Sequence, residues 1–248
     1  MTDRGEMEDE QNGPASAGGG PRLFVAADLT PGAEIILGVE QAHYLGAVMR
    51  RRIGDPVILF NGRDGEWTGH LSALARGRAT VALAHQTRPQ IPDPGPWLMF
   101  APVKRDATDL IIRMATELGV AAILPVMTER TNTARVNLDR LTAIATEAAE
   151  QSERLTLPVI APPARLFDAL AAWPPDRTLF AALERANARP LAATPGLTGL
   201  LVGPEGGFSR AEQDALVRAP SVIAVSLGPR ILRAETACIA GLTLLQGP

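Results

Sequence analysis

Residues 200–209 read Leu200-Leu201-Val202-Gly203-Pro204-Glu205-Gly206-Gly207-Phe208-Ser209. An apolar run of strand type ends in a Gly-rich turn, and Ser209, with Glu212 three residues later, has the form of a capping box that opens a helix. In an open α/β sheet, ligands bind just beyond the carboxyl ends of strands. Glycines let backbone approach such a ligand and offer N–H donors without a side chain in the way. A phosphate loop does not fit, because no Gly-Lys-Ser/Thr follows and Glu205 would repel a phosphate. The dinucleotide-binding glycine pattern does not fit either, since the glycines fall at 203, 206 and 207, late in the chain. A carboxylate in the loop suits a cationic or hydroxyl-rich ligand. A plain strand-to-helix turn is the simpler alternative.

A second corner of the same kind follows at Ser226-Leu227-Gly228-Pro229-Arg230-Ile231-Leu232-Arg233-Ala234-Glu235-Thr236-Ala237. Outward from the two corners, strand-like and helix-like segments alternate. Strands are expected at Trp97–Pro102, Ala121–Val126, Arg177–Leu183, Thr198–Val202 and Ser221–Leu227. Helices are expected at Asp106–Leu118 (Leu110, Ile111, Met114 and Leu118 inward), from Asn137 as cap to Glu150, after Ser209, and from Arg233 to Gln246. Such alternation implies an α/β domain with a mainly parallel sheet. Upstream, short strand runs at Arg22–Ala26, Pro56–Asn61, Glu66–Ser72 and Ala79–Ala84 surround an expected helix at Glu40–Arg51, a small β-rich module. The boundaries follow: a disordered acidic tail at 1–21, the β-rich module at 22–88, a stiff linker at 89–96, and the α/β domain at 97–248. Four prolines within Arg88–Pro96 mark the linker.

Composition narrows the function classes. The 248 residues are 46% hydrophobic and 21% charged, as in an ordinary globular chain. One cysteine, Cys238, excludes a disulfide scaffold and a thiolate zinc cluster, and no metal site is expected. No apolar run is long enough to span a bilayer, and the N-terminus has no apolar signal core, so a cytoplasmic protein is expected. The net charge is −3, but residues 1–21 alone carry five acids and one base, so the remainder sums to about +1. Any nucleic-acid surface must therefore be local. The basic candidates are Arg50-Arg51-Arg52, Lys104-Arg105, Arg130, Arg154 and Arg230. For Arg50–Arg52, the alternative is a favourable charge at a helix C-terminus.

Taken together, Gly203–Ser209 and Leu227–Ala237 resemble the 16S rRNA (uracil(1498)-N3)-methyltransferase family of the SPOUT class. Thr116-Glu117-Leu118-Gly119-Val120 with Pro125 and Glu129-Arg130, and Ala148-Ala149-Glu150-Gln151-Ser152 with Arg154 and Pro158, are similar to further family stretches. His43-Tyr44-Leu45 with Arg50 and Gly54-Asp55 resembles the start of its PUA-like module. Thr131–Asn137 departs from the family's pattern. The resemblance implies a PUA-like β-barrel that presents RNA, and an α/β SPOUT domain with a trefoil knot working as a homodimer on 16S rRNA. It implies S-adenosylmethionine as cofactor, held by Leu183, Val202, Gly203, Pro204, Glu205, Gly206, Gly207, Leu227, Gly228, Pro229, Ile231, Leu232 and Arg233. All three histidines lie in the first module, so a histidine base would have to come from that module or from the partner subunit; Glu205 and Glu235 are the carboxylate candidates to take the N3 proton. Arg230 and Arg233 are candidates to stabilise a developing uracil oxyanion, with Arg233 favoured. Two other readings stay open: a related SPOUT enzyme acting on a ribose 2′-OH or a tRNA base, and a non-catalytic RNA-binding assembly factor.

Overall fold

The computed structural model describes residues 19–132, 135–183 and 188–247, so the expected tail falls almost wholly outside the described residues. The chain divides into two units, up to Gln90 and from Ile91.

The first unit contains strands β1 (Arg22–Phe24), β2 (Glu34–Leu37), β3 (Pro56–Phe60), β4 (Glu66–Ala75) and β5 (Arg78–Arg88). They form one sheet in the order β1-β3-β4-β5-β2, with only the β1–β3 pair parallel. Alternating side chains such as Val57, Leu59, Leu71, Val81 and Leu83 fill its core. The helix expected through Arg51 is shorter. It is α1 (Val39–His43), followed by a π-helical turn at Tyr44–Val48 in which Met49 N–H donates to Tyr44 O at 2.9 Å. The wider turn displaces the 3.6-residue register, and the chain leaves it at Arg50 with φ of 52°. Arg50–Arg52 therefore belong to a loop, not to a helix end.

The second unit is a parallel sheet. Its strands are β6 (Trp97–Phe100), β7 (Ala122–Met127), β8 (Val159–Ile160), β9 (Ala164–Arg165), β10 (Thr178–Ala182), β11 (Arg189–Pro190), β12 (Thr198–Val202) and β13 (Val222–Ser226). The order is β11-β13-β10-β12-β6-β7-β8, with β9 also pairing β7. The helices are α2 (Arg105–Glu117), α3 (Leu138–Gln151), α4 (Leu166–Ala171), α5 (Arg210–Arg218) and α6 (Ala234–Gln246). Strand residues alternate between two cores. Leu98, Phe100, Phe180 and Leu200 pack with Ile111, Ile112 and Leu242 on one face. Met99, Leu179 and Leu201 pack with Trp173, Phe208 and Leu216 on the other. Both faces are covered, which is why the central strands read as continuous apolar runs. Helix α2 is turned from its expected orientation. Thr108, Ile111, Ile112, Ala115 and Thr116 are buried, while Leu110, Met114 and Leu118 are only half-buried. Apolar residues lie on more than one side of this helix, so their spacing alone did not determine the buried face.

Candidate active site

Strands β10, β12 and β13 run side by side in parallel, with Ala182 level with Val202 and with Val225. Their carboxyl ends therefore open at one edge of the sheet. There a cavity of about 570 Å³ is walled by Ala182 and Leu183, by the whole run Val202–Phe208, and by Val225–Leu232. Ala234 and Ala237 of α6 complete the wall, together with Gln213 and Arg130. The two Gly-turned corners, distant in sequence, thus face the same space.

Local chemistry shapes each corner. After β12, a tight turn is closed by Gly207 N–H donating to Pro204 O at 2.8 Å. A Cβ on Gly203 would lie 2.9 Å from the Phe208 ring, so only glycine lets Phe208 fold back into the core. Helix α5 then starts with the expected capping box: Ser209 Oγ accepts from Glu212 N–H, and Glu212 Oε2 accepts from Ser209 N–H at 2.8 Å. After β13, Gly228 takes φ of 120°, a conformation open to glycine. Ser226 Oγ accepts from Gly228 N–H at 3.2 Å and holds that turn.

Of the residues expected around a cofactor, Leu183, Val202, Gly203, Pro204, Glu205, Gly206, Gly207, Leu227, Gly228, Pro229, Ile231 and Leu232 all line the cavity. Arg233 does not. It is the N-cap of α6, and its side chain is exposed. Arg230 and Arg130, both RNA candidates from sequence, also stand on the cavity wall. Arg130 donates from Nη1 to Gly206 O at 2.7 Å. Gln213, which donates to Phe208 O at 3.0 Å, also lines the cavity; its place one helical turn past the Ser209 cap is the sequence signal for it.

The basic candidates separate by position. Lys104 and Arg105 follow β6, Arg130 follows β7, and Arg230 follows β13. All four are exposed and lie at the carboxyl edge of one parallel sheet. Lys104 and Arg105 open α2, where the helix dipole disfavours cations, so helix stability is not the reason for them. Arg154 belongs elsewhere and corrects the sequence reading. It is buried, and its Nη1 donates to Thr116 O at 2.8 Å and Val120 O at 3.0 Å, at the opposite end of the sheet. Burial lowers its pKa, opposed by the charge of Asp93. Cys238 is fully packed, and burial, aided by the charge of Glu235, pushes its thiol up, so it stays protonated and unreactive. Among the described residues, no group of three or more His, Cys, Asp or Glu side chains is placed to hold a metal ion, and no helix is long and apolar enough to cross a membrane.

An RNA methyltransferase domain model matches residues 94–246, and an RNA methyltransferase PUA domain model matches residues 36–83. The chain is 34% identical to the ribosomal RNA small subunit methyltransferase E of Rickettsia conorii, across 91% of this chain and 94% of that one. It is 36% identical to the Synechocystis protein of the same name, across 91% and 77%. The chain belongs to the ribosomal RNA small subunit methyltransferase E family. Among solved structures, the Neisseria gonorrhoeae member bound to S-adenosylmethionine superposes with a TM-score of 0.82 at 31% identity, covering 90% of this chain and 95% of that one. A Legionella pneumophila methyltransferase with the same bound cofactor superposes with a TM-score of 0.80 at 26% identity, over 90% and 95%. This chain's own cavity fits such a ligand. Its volume is in the range of small-molecule sites, ~300–1,000 Å³. Leu183, Leu227, Ile231 and Leu232 offer apolar contact for an adenine, and the turns supply backbone donors and acceptors. The Glu205 carboxylate suits hydroxyls or positive charge.

Proposed function

We propose that this family member methylates N3 of a uridine in 16S rRNA, using S-adenosylmethionine held between the 203–207 and 227–232 corners. The observation that carries the proposal is the convergence of both corners on one cavity beside exposed cations. When bound, the cofactor supplies an activated methyl group on a sulfonium. This chain's residues do the rest. The corner backbones hold the adenosyl part, while Leu227, Ile231 and Leu232 exclude water from it. Lys104, Arg105, Arg130 and Arg230 attract RNA phosphates to the same edge. Arg230, on the cavity wall, donates to the uracil oxygen as negative charge builds on the ring. Glu205 accepts the N3 proton. Orientation of this kind contributes ~7–11 kcal/mol to such reactions.

In the same proposal the PUA-like unit adds RNA contacts through Arg50–Arg52. The enzyme acts in the cytoplasm as a homodimer, and the loops around the cavity are threaded as a trefoil knot. Half-buried Leu110 and Met114 on α2, and the mostly apolar α6 with Leu244 42% exposed, suit a partner subunit.

The test is mass mapping of methylated nucleotides after incubating small-subunit rRNA with the protein and isotope-labelled cofactor. Label on uridine N3 is the expected result. Label on a ribose oxygen or another base assigns a different target. No label despite calorimetric cofactor binding makes the protein an RNA-binding factor.

A further inference from the structure

Glu212 is 1% exposed, yet its carboxylate serves two partners far apart in the chain. Oε2 accepts from Ser209 N–H at 2.8 Å, which the capping box requires. Oε1 accepts from Glu129 N–H, also at 2.8 Å, across 83 residues, just past the end of β7. A helix cap alone does not need that second bond. At the very next residue, Arg130 Nη1 donates to Gly206 O at 2.7 Å. The Arg130 stem also lies along Gly206, where an added Cβ would come within 3.3 Å of Arg130 Cβ and 3.4 Å of Cδ. Residues 129 and 130 are thus fastened to the 206–212 segment twice, once by a buried carboxylate and once by an exposed guanidinium. The fastened segments have different duties. The segment after β12 forms one wall of the cavity, while the segment after β7 carries an exposed cation at the cavity's edge.

We propose that Glu212 is a positioning residue that joins these two loops into one unit, so that a ligand ordering residues 203–207 also sets Arg130 for RNA. The inference rests on the methyltransferase reading above. Its consequence is positive coupling: cofactor in the cavity tightens RNA binding, and RNA tightens cofactor binding by the same factor.

The experiment uses the full chain, S-adenosylhomocysteine as a non-transferring occupant of the cavity, and a labelled 16S rRNA fragment. The Kd for RNA is measured by fluorescence anisotropy with and without saturating S-adenosylhomocysteine. In the wild type the ratio should be about fivefold or more, the usual lower range of such coupling. In Glu212→Gln one carboxylate oxygen becomes an NH₂ that opposes a backbone N–H, one of the two bonds is lost, and the ratio should fall toward one. Arg130→Met keeps the exposed stem and removes the Gly206 bond. It should lower the ratio with Tm unchanged, and it carries the test if Glu212→Gln does not fold. A wild-type ratio of one overturns the inference. So does a Glu212→Gln protein with lower Tm and an unaltered ratio, the result expected of a simple helix cap. Failure of the wild type to bind S-adenosylhomocysteine overturns the underlying functional reading as well, and is recognisable before any variant is made.

Discussion

Arg154 and Asp93 meet at 3.2 Å, joining the turn that follows α3 to the proline-rich segment that precedes β6. Through its other nitrogen, Arg154 also holds the carbonyls of Thr116 and Val120, where α2 ends and the chain turns toward β7. A cation is favoured at that helix end, where Thr116 O also accepts from Gly119 N–H at 3.0 Å. Arg154→Ala should therefore destabilise the protein by about 3 kcal/mol, the scale of lost hydrogen bonds to a buried charge. In a domain of this size that is a Tm decrease of about 6–12 °C, read by thermal denaturation. The salt dependence of RNA affinity should stay as in the wild type, since a buried guanidinium displaces no counterion from a phosphate.

The same arginine shows where sequence reading runs out. Its acceptors lie 38 and 34 residues away, and nothing local distinguishes a buried strut from a phosphate ligand. The catalytic-side architecture was legible for the opposite reason. Residues Gly199–Val202 are apolar throughout, the Ser209–Glu212 cap is a local signal, and both corners carry glycines where the backbone must turn sharply. Elements of two residues, such as β8, β9 and β11, are too short to show any period. The π-helical turn at Tyr44–Val48 escaped because its bonding skips one residue more than a helical pattern assumes. Arg233 was placed in the site by its neighbours in sequence. Its position as the N-cap of α6 leaves Leu232 and Ala234, but not Arg233, on the cavity wall.

Gly203 tests the cavity directly. A methyl group there would come within 2.9–3.2 Å of three Phe208 ring carbons, and that ring is 4% exposed in a packed core. The ring has little room to retreat, so the 203–207 backbone must shift. Gly203→Ala should cost about 1–3 kcal/mol of stability, the usual range for overpacking. It should also weaken S-adenosylmethionine binding at least about tenfold, a loss of about 1.4 kcal/mol, measured by calorimetry. A lower Tm with unchanged affinity would remove this corner from the cofactor site.

The loop Arg50–Arg52 makes a separable prediction. Three phosphate contacts to single-stranded RNA would each contribute about 0.7 to the slope of log affinity against log salt, so alanine at all three should flatten it by about 2. Arg50 also adopts a left-handed backbone, φ 52°, which costs a residue with a side chain. Arg50→Gly should relieve that cost, raising stability by up to about 1 kcal/mol while flattening the salt slope by about 0.7. Greater stability with an unaltered slope would show Arg50 to be a bystander to RNA.

Asp64 links the first unit's stability to pH. Its Oδ2 accepts from Leu29 N–H at 2.9 Å and Asn61 Nδ2 at 2.7 Å. The Leu29 bond first, then that from Asn61, holds its pKa below the ordinary 3.8. Because the folded value is the lower one, the unfolded chain takes up the proton first as pH falls. The stabilisation is then fully present above about pH 4 and disappears as pH drops through the folded value. Asp64→Asn removes this dependence. The difference in Tm between wild type and Asp64→Asn should be constant from pH 7 to about pH 5 and shrink steadily below pH 4, read by paired melts across that range. A difference that holds undiminished to pH 3 would mean that the carboxylate's charge contributes nothing there, leaving only the shape of the turn.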